Sequence, residues 1–216
     1  SYIAGVYYPD KTRVGWWKNG YPEYFAKVLN APNWIGINVF INDQELDLNT
    51  CKSVSNFKRE LNMKEGWLSR SFEAELQNGI KISVFAKRFL SLELDEVGAI
   101  SYAVTPINNN ATITFSPYLD AGITNEDTNW DDQFWNVSKV TQHNRQSFLE
   151  APTLKTDFHT CTFMESRLFV NQDEIIDDGN NQKSEKIASS AYRQSINKNE
   201  TFTTPKFGGY VVDRTH

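Results

Sequence analysis

An all-β, antiparallel sandwich with few or no long helices is the fold class the sequence predicts, on three observations. Alternations of apolar and polar residues, each of strand length, recur along the 216 residues and are separated by Gly, Asn and Pro. No stretch longer than about two turns carries a 3.6-residue apolar stripe. Strands do not alternate with helical segments, so nothing suggests βαβ units or a parallel sheet. Roughly a dozen strands are expected.

The stretch Phe57 to Leu92 is the clearest and reads as three strands joined by two tight turns. In the second turn, register decides the loop length. A two-residue Asn78-Gly79 loop would set Glu75 opposite Ile82 and mix the faces. A three-residue Gln77-Asn78-Gly79 loop pairs Leu76 with Ile80, Ala74 with Ile82, Phe72 with Val84 and Glu75 with Lys81. Gly79 then supplies the positive φ such a loop needs. The same logic applied to Lys64-Glu65-Gly66 sets Met63 opposite Trp67 and Glu60 opposite Arg70.

Around this scaffold, Ser1 to Tyr8 is a short strand, and Pro9 to Asn33, punctuated by Gly15, Gly20, Pro22 and Pro32, suits a long ordered loop. Trp34 to Leu48 predicts a strand pair turning at Asn42-Asp43. Val97 to Ile107 is a strand whose Pro106 marks its end, followed by an Asn108-Asn109-Asn110 turn and a strand over Ala111 to Leu119. Residues 120–130 read as an exposed acidic loop. Phe134 to Thr141, Gln146 to Ala151 and Phe158 to Phe169 return to strand patterning. Asn171 to Lys186 is the most polar stretch and is expected to be a mobile loop, with a short element at Ala188 to Ile196 and one or two strands over Thr201 to Val212.

Composition sets the outer limits. With 39% hydrophobic and 13% aromatic content, residues 1–216 are expected to bury one core as a single domain. A net charge of −5, without a Lys/Arg cluster in the sequence, argues against nucleic acid as partner. The apolar runs are strand-sized, far below the roughly 20 residues of a bilayer-spanning helix, so no membrane partner is expected. Cys51 and Cys161 are expected to be isolated buried thiols, too few for a zinc site by themselves. The chain begins within a strand and without Met, so its natural N-terminus is expected to lie further upstream.

Chemistry-bearing patterns are few. Glu73 and Glu75 share a strand face, their carbons about 7 Å apart, which is near a glycosidase spacing; opposite Lys81 and Ser83 they read as a solvated face. Glu126, Asp127, Asp131 and Asp132 offer oxygen ligands to Ca²⁺, but without the spacing of a calcium loop. Of His143, His159 and His216, only His159 has a cysteine nearby, Cys161, and two residues do not make a metal site. Nucleotide and acyl-transfer motifs are absent, and no cofactor is expected. Asn110, Asn136 and Asn199 head glycosylation-type triplets that arise freely in Asn-rich sequence. Loop aromatics are the remaining candidates: Trp16, Trp17, Tyr21, Tyr24, Trp34 and Trp130 provide flat rings suited to sugar faces, although such rings more commonly anchor a loop to a core.

Several segments together resemble the N-terminal domain of glycoside hydrolase family 65, the group of maltose, trehalose and kojibiose phosphorylases and related α-glucoside hydrolases. They are YIAGVY at Tyr2 to Tyr7, APNWIGINVFINDQELDL at Ala31 to Leu48, REL-x-MKEGWLSRSFE at Arg59 to Glu73, KRFLSL at Lys87 to Leu92, ISYAVTPIN at Ile100 to Asn108, and SPYLDAGITNEDTN at Ser116 to Asn129. The resemblance implies a β-supersandwich similar to the galactose-mutarotase-like fold. It implies that the general-acid Glu and the phosphate site lie in a following (α/α)6 barrel of the same polypeptide, through which α-glucoside substrate is met. The domain would then be non-catalytic, would pack on the barrel, would support a homodimer, and would send a loop toward the barrel mouth. Trp16, Trp17, Pro32, Asn33, Trp34 and Trp130 are the residues expected on that carbohydrate-facing reach. A free-standing carbohydrate-binding module is the alternative.

Overall fold

The computed structural model describes residues 1–12, 15–125 and 133–213. The chain opens with β1 (Tyr2–Lys11), a 3-10 turn at Trp16–Asn19, and β2 (Tyr24–Asn30), which pairs antiparallel with β1. β3 (Ile37–Ile41) and the two-residue β4 (Gln44–Glu45) follow, then β5 (Ser53–Asn62), β6 (Trp67–Glu75), β7 (Lys81–Leu90), β8 (Val97–Pro106) and β9 (Ala111–Asp120). The second half holds β10 (Lys139–His143), β11 (Gln146–Glu150), β12 (His159–Ser166), β13 (Leu168–Val170), β14 (Asp173–Ile175), β15 (Asn180–Lys183), β16 (Ile187–Ile196) and β17 (Phe202–Asp213).

These strands build a large antiparallel sheet in the order β10-β11-β12-β17-β8-β7-β6-β5, with β13 and β14 attached at β17. A smaller sheet, β15-β16-β9-β3-β4, faces part of it. The predicted sandwich is therefore present. Alternation along β8 and β9, buried and half-buried by turns, is what sheets with one packed face require. Phe115 of β9 stacks on Phe202 of β17 at 4.6 Å between centroids and meets Tyr102 of β8 edge-on at 6.0 Å, so one ring joins the two layers. A second apolar cluster around Trp34, Leu119, Phe134, Trp135 and Leu149 fills the other end.

The second turn of the scaffold has the predicted register, with Phe72 opposite Val84, Ala74 opposite Ile82 and Glu75 opposite Lys81, and Gly79 at φ 80°. The first turn does not. Asn62 pairs with Trp67 and Glu60 with Ser69, so the loop is four residues, Met63 to Gly66, one longer than predicted. Asn62 makes the difference: its side-chain oxygen accepts the Glu65 amide and its carbonyl accepts that of Gly66, closing the wider turn.

Other departures have similar local causes. The expected loop over Pro9 to Asn33 contains β2, which hid because one of its inward residues is Lys27. Lys27 pairs with Asp10 of β1 at 2.8 Å, both side chains buried, and a buried charge breaks the apolar alternation that marks a strand. Asn171 to Lys186 holds β14 and β15; the latter is an edge strand of exposed Asn, Gln and Lys that pairs with β16, where Asn181 also accepts from the Ser190 hydroxyl and donates to the Asn144 carbonyl. Phe134 to Ser138 is irregular apart from a single bridge between Trp135 and Thr153. The Asn108 to Asn110 turn does not form a hairpin but passes the chain from the large sheet to the small one. Asn108 accepts the Lys81 amide and donates to the Gly79 carbonyl, tying the crossing to the neighbouring turn.

Candidate functional site

The large sheet extends past the small one at the β5-β6-β7-β8 end, and there its inner face is open as a groove of about 250 Å³. Pairing brings its residues together in two rungs. Arg59, Arg70, Ala86 and Tyr102 lie side by side across four strands, and Leu61, Leu68, Arg88 and Ile100 form the next rung. Strand residues two apart share a face, so the three guanidinium stems rise from one surface. Ile35 and Ile37 form the far wall.

Among the described residues no carboxylate lies at ion-pair distance from Arg59, Arg70 or Arg88. Burial raises the pKa of the Tyr102 hydroxyl although Arg70 beside it acts the other way, so the phenol is neutral. The groove thus presents positive charge on an apolar floor. Among the described residues that line it there is no carboxylate.

One wall belongs to the segment 31–37, which is fastened throughout. Asn33 exchanges backbone hydrogen bonds with Asp120, its side-chain oxygen accepts the Ile35 amide at 2.9 Å, and the Tyr210 hydroxyl donates to the Pro32 carbonyl at 2.7 Å. Trp34 is buried, its ring lying over Gly98 and Gly208, where an added Cβ would meet that ring at 2.6 and 2.7 Å. Gly208→Ala is expected to cost about 1–3 kcal/mol, because the Phe163 carbonyl at 2.8 Å blocks escape on the other side. Urea denaturation of the variant checks this; an unchanged midpoint would mean that Trp34 does not rest on Gly208.

Of the residues expected on a carbohydrate-facing reach, Pro32 and Trp34 are inside and Asn33 is half-buried. Trp130 lies outside the described residues, as do the side chains of Trp16 and Trp17, whose backbone forms the 3-10 turn. Tyr21 and Tyr24 are exposed. Glu73 and Glu75 face Ser83 and Lys81 as read from sequence. Glu75 holds Lys52 at 2.6 Å, and that hydrogen bond lowers its pKa, with Lys81 at 3.5 Å adding to the effect. The acidic residues 126, 127, 131 and 132, and His216, are outside the described residues.

Among the described residues no three His, Cys, Asp or Glu side chains gather as metal ligands, and no helix is long and apolar enough to cross a membrane. Cys51 and Cys161 are free but half-buried rather than buried, and desolvation raises both thiols. The arginine groove escaped sequence reading because its residues come from separate strands. Only the true register of the first turn, which sets Arg59 opposite Arg70, would have revealed it.

Comparison with known proteins gives these features a family. The chain is 42% identical over 174 residues to the maltose phosphorylase of Bacillus subtilis (strain 168), covering 81% of this chain and 23% of that protein. It is 25% identical to a kojibiose phosphorylase of Thermoanaerobacter brockii, covering 81% of this chain and 21% of the relative. A solved structure described as a kojibiose phosphorylase from human microbiome superposes with a TM-score of 0.81 over 98% of this chain and 26% of its own, at 22% identity, which shows the shared fold. The chain therefore spans about a quarter of the length of its relatives. The model of the glycosyl hydrolase family 65 N-terminal domain matches residues 1–216 throughout, and the chain belongs to that family.

Proposed function

We propose that this chain is the non-catalytic N-terminal domain of a family 65 enzyme that cleaves α-linked glucose disaccharides, and that it packs on an (α/α)6 catalytic barrel of the same polypeptide. The observation that carries this reading is the character of the arginine groove, which presents guanidinium groups where glycoside cleavage needs two facing carboxyls. Relatives that are phosphorylases, and of which the chain covers about a quarter, support a phosphorylase parent. In this reading residues 1–216 form a single domain, and two segments reach toward the barrel mouth: the one at Asn33, anchored by Pro32 and Trp34, and, at the opposite end of the β1-β2 hairpin, the turn holding Trp16 and Trp17. A homodimer contact belongs to the same proposal.

Incubating the isolated chain with maltose, trehalose and kojibiose, with and without phosphate, is expected to release no glucose or glucose phosphate. Cleavage that survives purification and disappears in Glu73→Gln would overturn the reading. Exposed Tyr21 and Tyr24 favour a second reading, a free-standing carbohydrate-binding module. Calorimetry separates the two: a module binds one of these disaccharides by itself, whereas a barrel-supporting domain does not.

A further inference from the structure

We infer that the groove lined by Arg59, Arg70 and Arg88 is the docking site for a carboxylate-bearing segment of the remaining polypeptide. The inference rests on the proposed function above and adds to it the face used and the chemistry of the contact. Arg59 and Arg70 stand directly opposite one another on adjacent strands, an arrangement that like charges disfavour. Arg88 is diagonal to Arg70, about 7–8 Å away by sheet geometry and within reach of so long a side chain. Among the described residues none of the three finds an acid, although the chain carries 27 Asp and Glu against 22 Lys and Arg. Three arginines held together, with no counter-charge from any described residue of an acidic chain, are complementary to carboxylates brought by a docking segment.

The surroundings indicate that those carboxylates come on a protein segment. On the same face Leu61 and Leu90 are 64% and 69% exposed, and Ile35, Ile37 and Ile100 form the walls. Arginine set among aliphatic side chains is the composition of a protein contact, in which the apolar rim keeps water from the charged hydrogen bonds. A small-anion site would back its cations with converging backbone amides. A sugar site would offer amides and an open aromatic face. Guanidinium forks match carboxylates in two parallel hydrogen bonds, which fixes the orientation of whatever docks.

Arginine footprinting tests this in the full-length polypeptide alongside the 216-residue chain. Both are treated with phenylglyoxal, and modification of each arginine is followed by mass spectrometry. Arg59 and Arg88 are expected to react at least about tenfold more slowly in the full-length protein, a protection that burial against a partner produces. In the isolated chain, inorganic phosphate and glucose 1-phosphate are expected to leave their rates unchanged. The double variant Arg59→Gln with Arg88→Gln, which relieves the like-charge pairing and is expected to melt no lower than the wild-type isolated chain, is expected to speed proteolytic release of the domain from the full-length protein.

The opposing outcomes are distinct. If the full-length protein resists release of the domain while Arg59 and Arg88 react as fast as in isolation, packing uses another face and only this inference fails. If the domain is released freely and the arginines are unprotected, the packing reading fails as well. If phosphate or glucose 1-phosphate protects the arginines and the rest of the polypeptide does not, the groove is a small-anion site and docking is overturned.

Discussion

Replacing Phe115 by Ala is expected to destabilise the domain by about 3–5 kcal/mol, a large part of the stability of an ordinary domain. Phe115 has no exposed surface. It belongs to the small sheet but makes its ring contacts with Tyr102 and Phe202 of the large one, so truncation removes contacts across the layer boundary as well as within a strand. Neighbouring Val39, Ile113 and Val104 are themselves buried and held in register by their ladders, which limits collapse into the void. Guanidinium denaturation followed by tryptophan fluorescence measures the loss. Leucine at the same position should recover a good part of it. A cost below about 1 kcal/mol for the Ala variant would show that the two sheets do not depend on this ring stack.

How much of this could be seen in the sequence follows from what each element buries. β6 to β9 were legible because the inward residues of their packed halves, such as Phe72, Ala74, Ile82, Val84, Val104, Ile113 and Phe115, are apolar, and the hairpin of β6 and β7 was legible to the residue because a three-residue loop keeps the faces separate where a two-residue loop mixes them. β2 was not, since Lys27 and Asp10 supply each other's counter-charge inside the fold, and pattern reading has no way to see a pair seventeen residues apart. β15 was not, because an edge strand facing water needs no apolar face. The candidate groove depended on one turn being four residues rather than three, a choice made by the Asn62 side chain. Trp34 was legible as an aromatic in a loop region, but its burial depends on Gly98 and Gly208 from two distant strands leaving room beneath it.

Lys206 yields the second large effect, because it is a lysine with no exposed surface between the two sheets. Its amine donates to the Gly36 carbonyl at 2.8 Å and the Tyr118 carbonyl at 2.9 Å, and among the described residues no carboxylate accompanies it. Two acceptors match the two hydrogens of a neutral amine, and burial holds the pKa well below its usual 10.5. The unfolded chain then binds the extra proton over the window from the lowered value up to 10.5, so stability rises with pH there by up to about 1.4 kcal/mol per unit. Below that window the desolvation cost is present in full. The raised thiols of Cys51 and Cys161, and Tyr192 and Tyr210 pushed up to about 12, act with the opposite sign at the alkaline end. The informative quantity is therefore the difference between wild type and Lys206→Met, measured by urea denaturation from neutral pH to about 10, where those other groups cancel. Wild type is expected to gain on the variant as pH rises, and parallel curves would show that Lys206 keeps an ordinary proton affinity inside the fold. Because Gly36 lies in the segment that walls the arginine groove, the same lysine holds that wall to β9 and β17, and the Met variant is expected to loosen the groove without touching any of its three guanidinium groups.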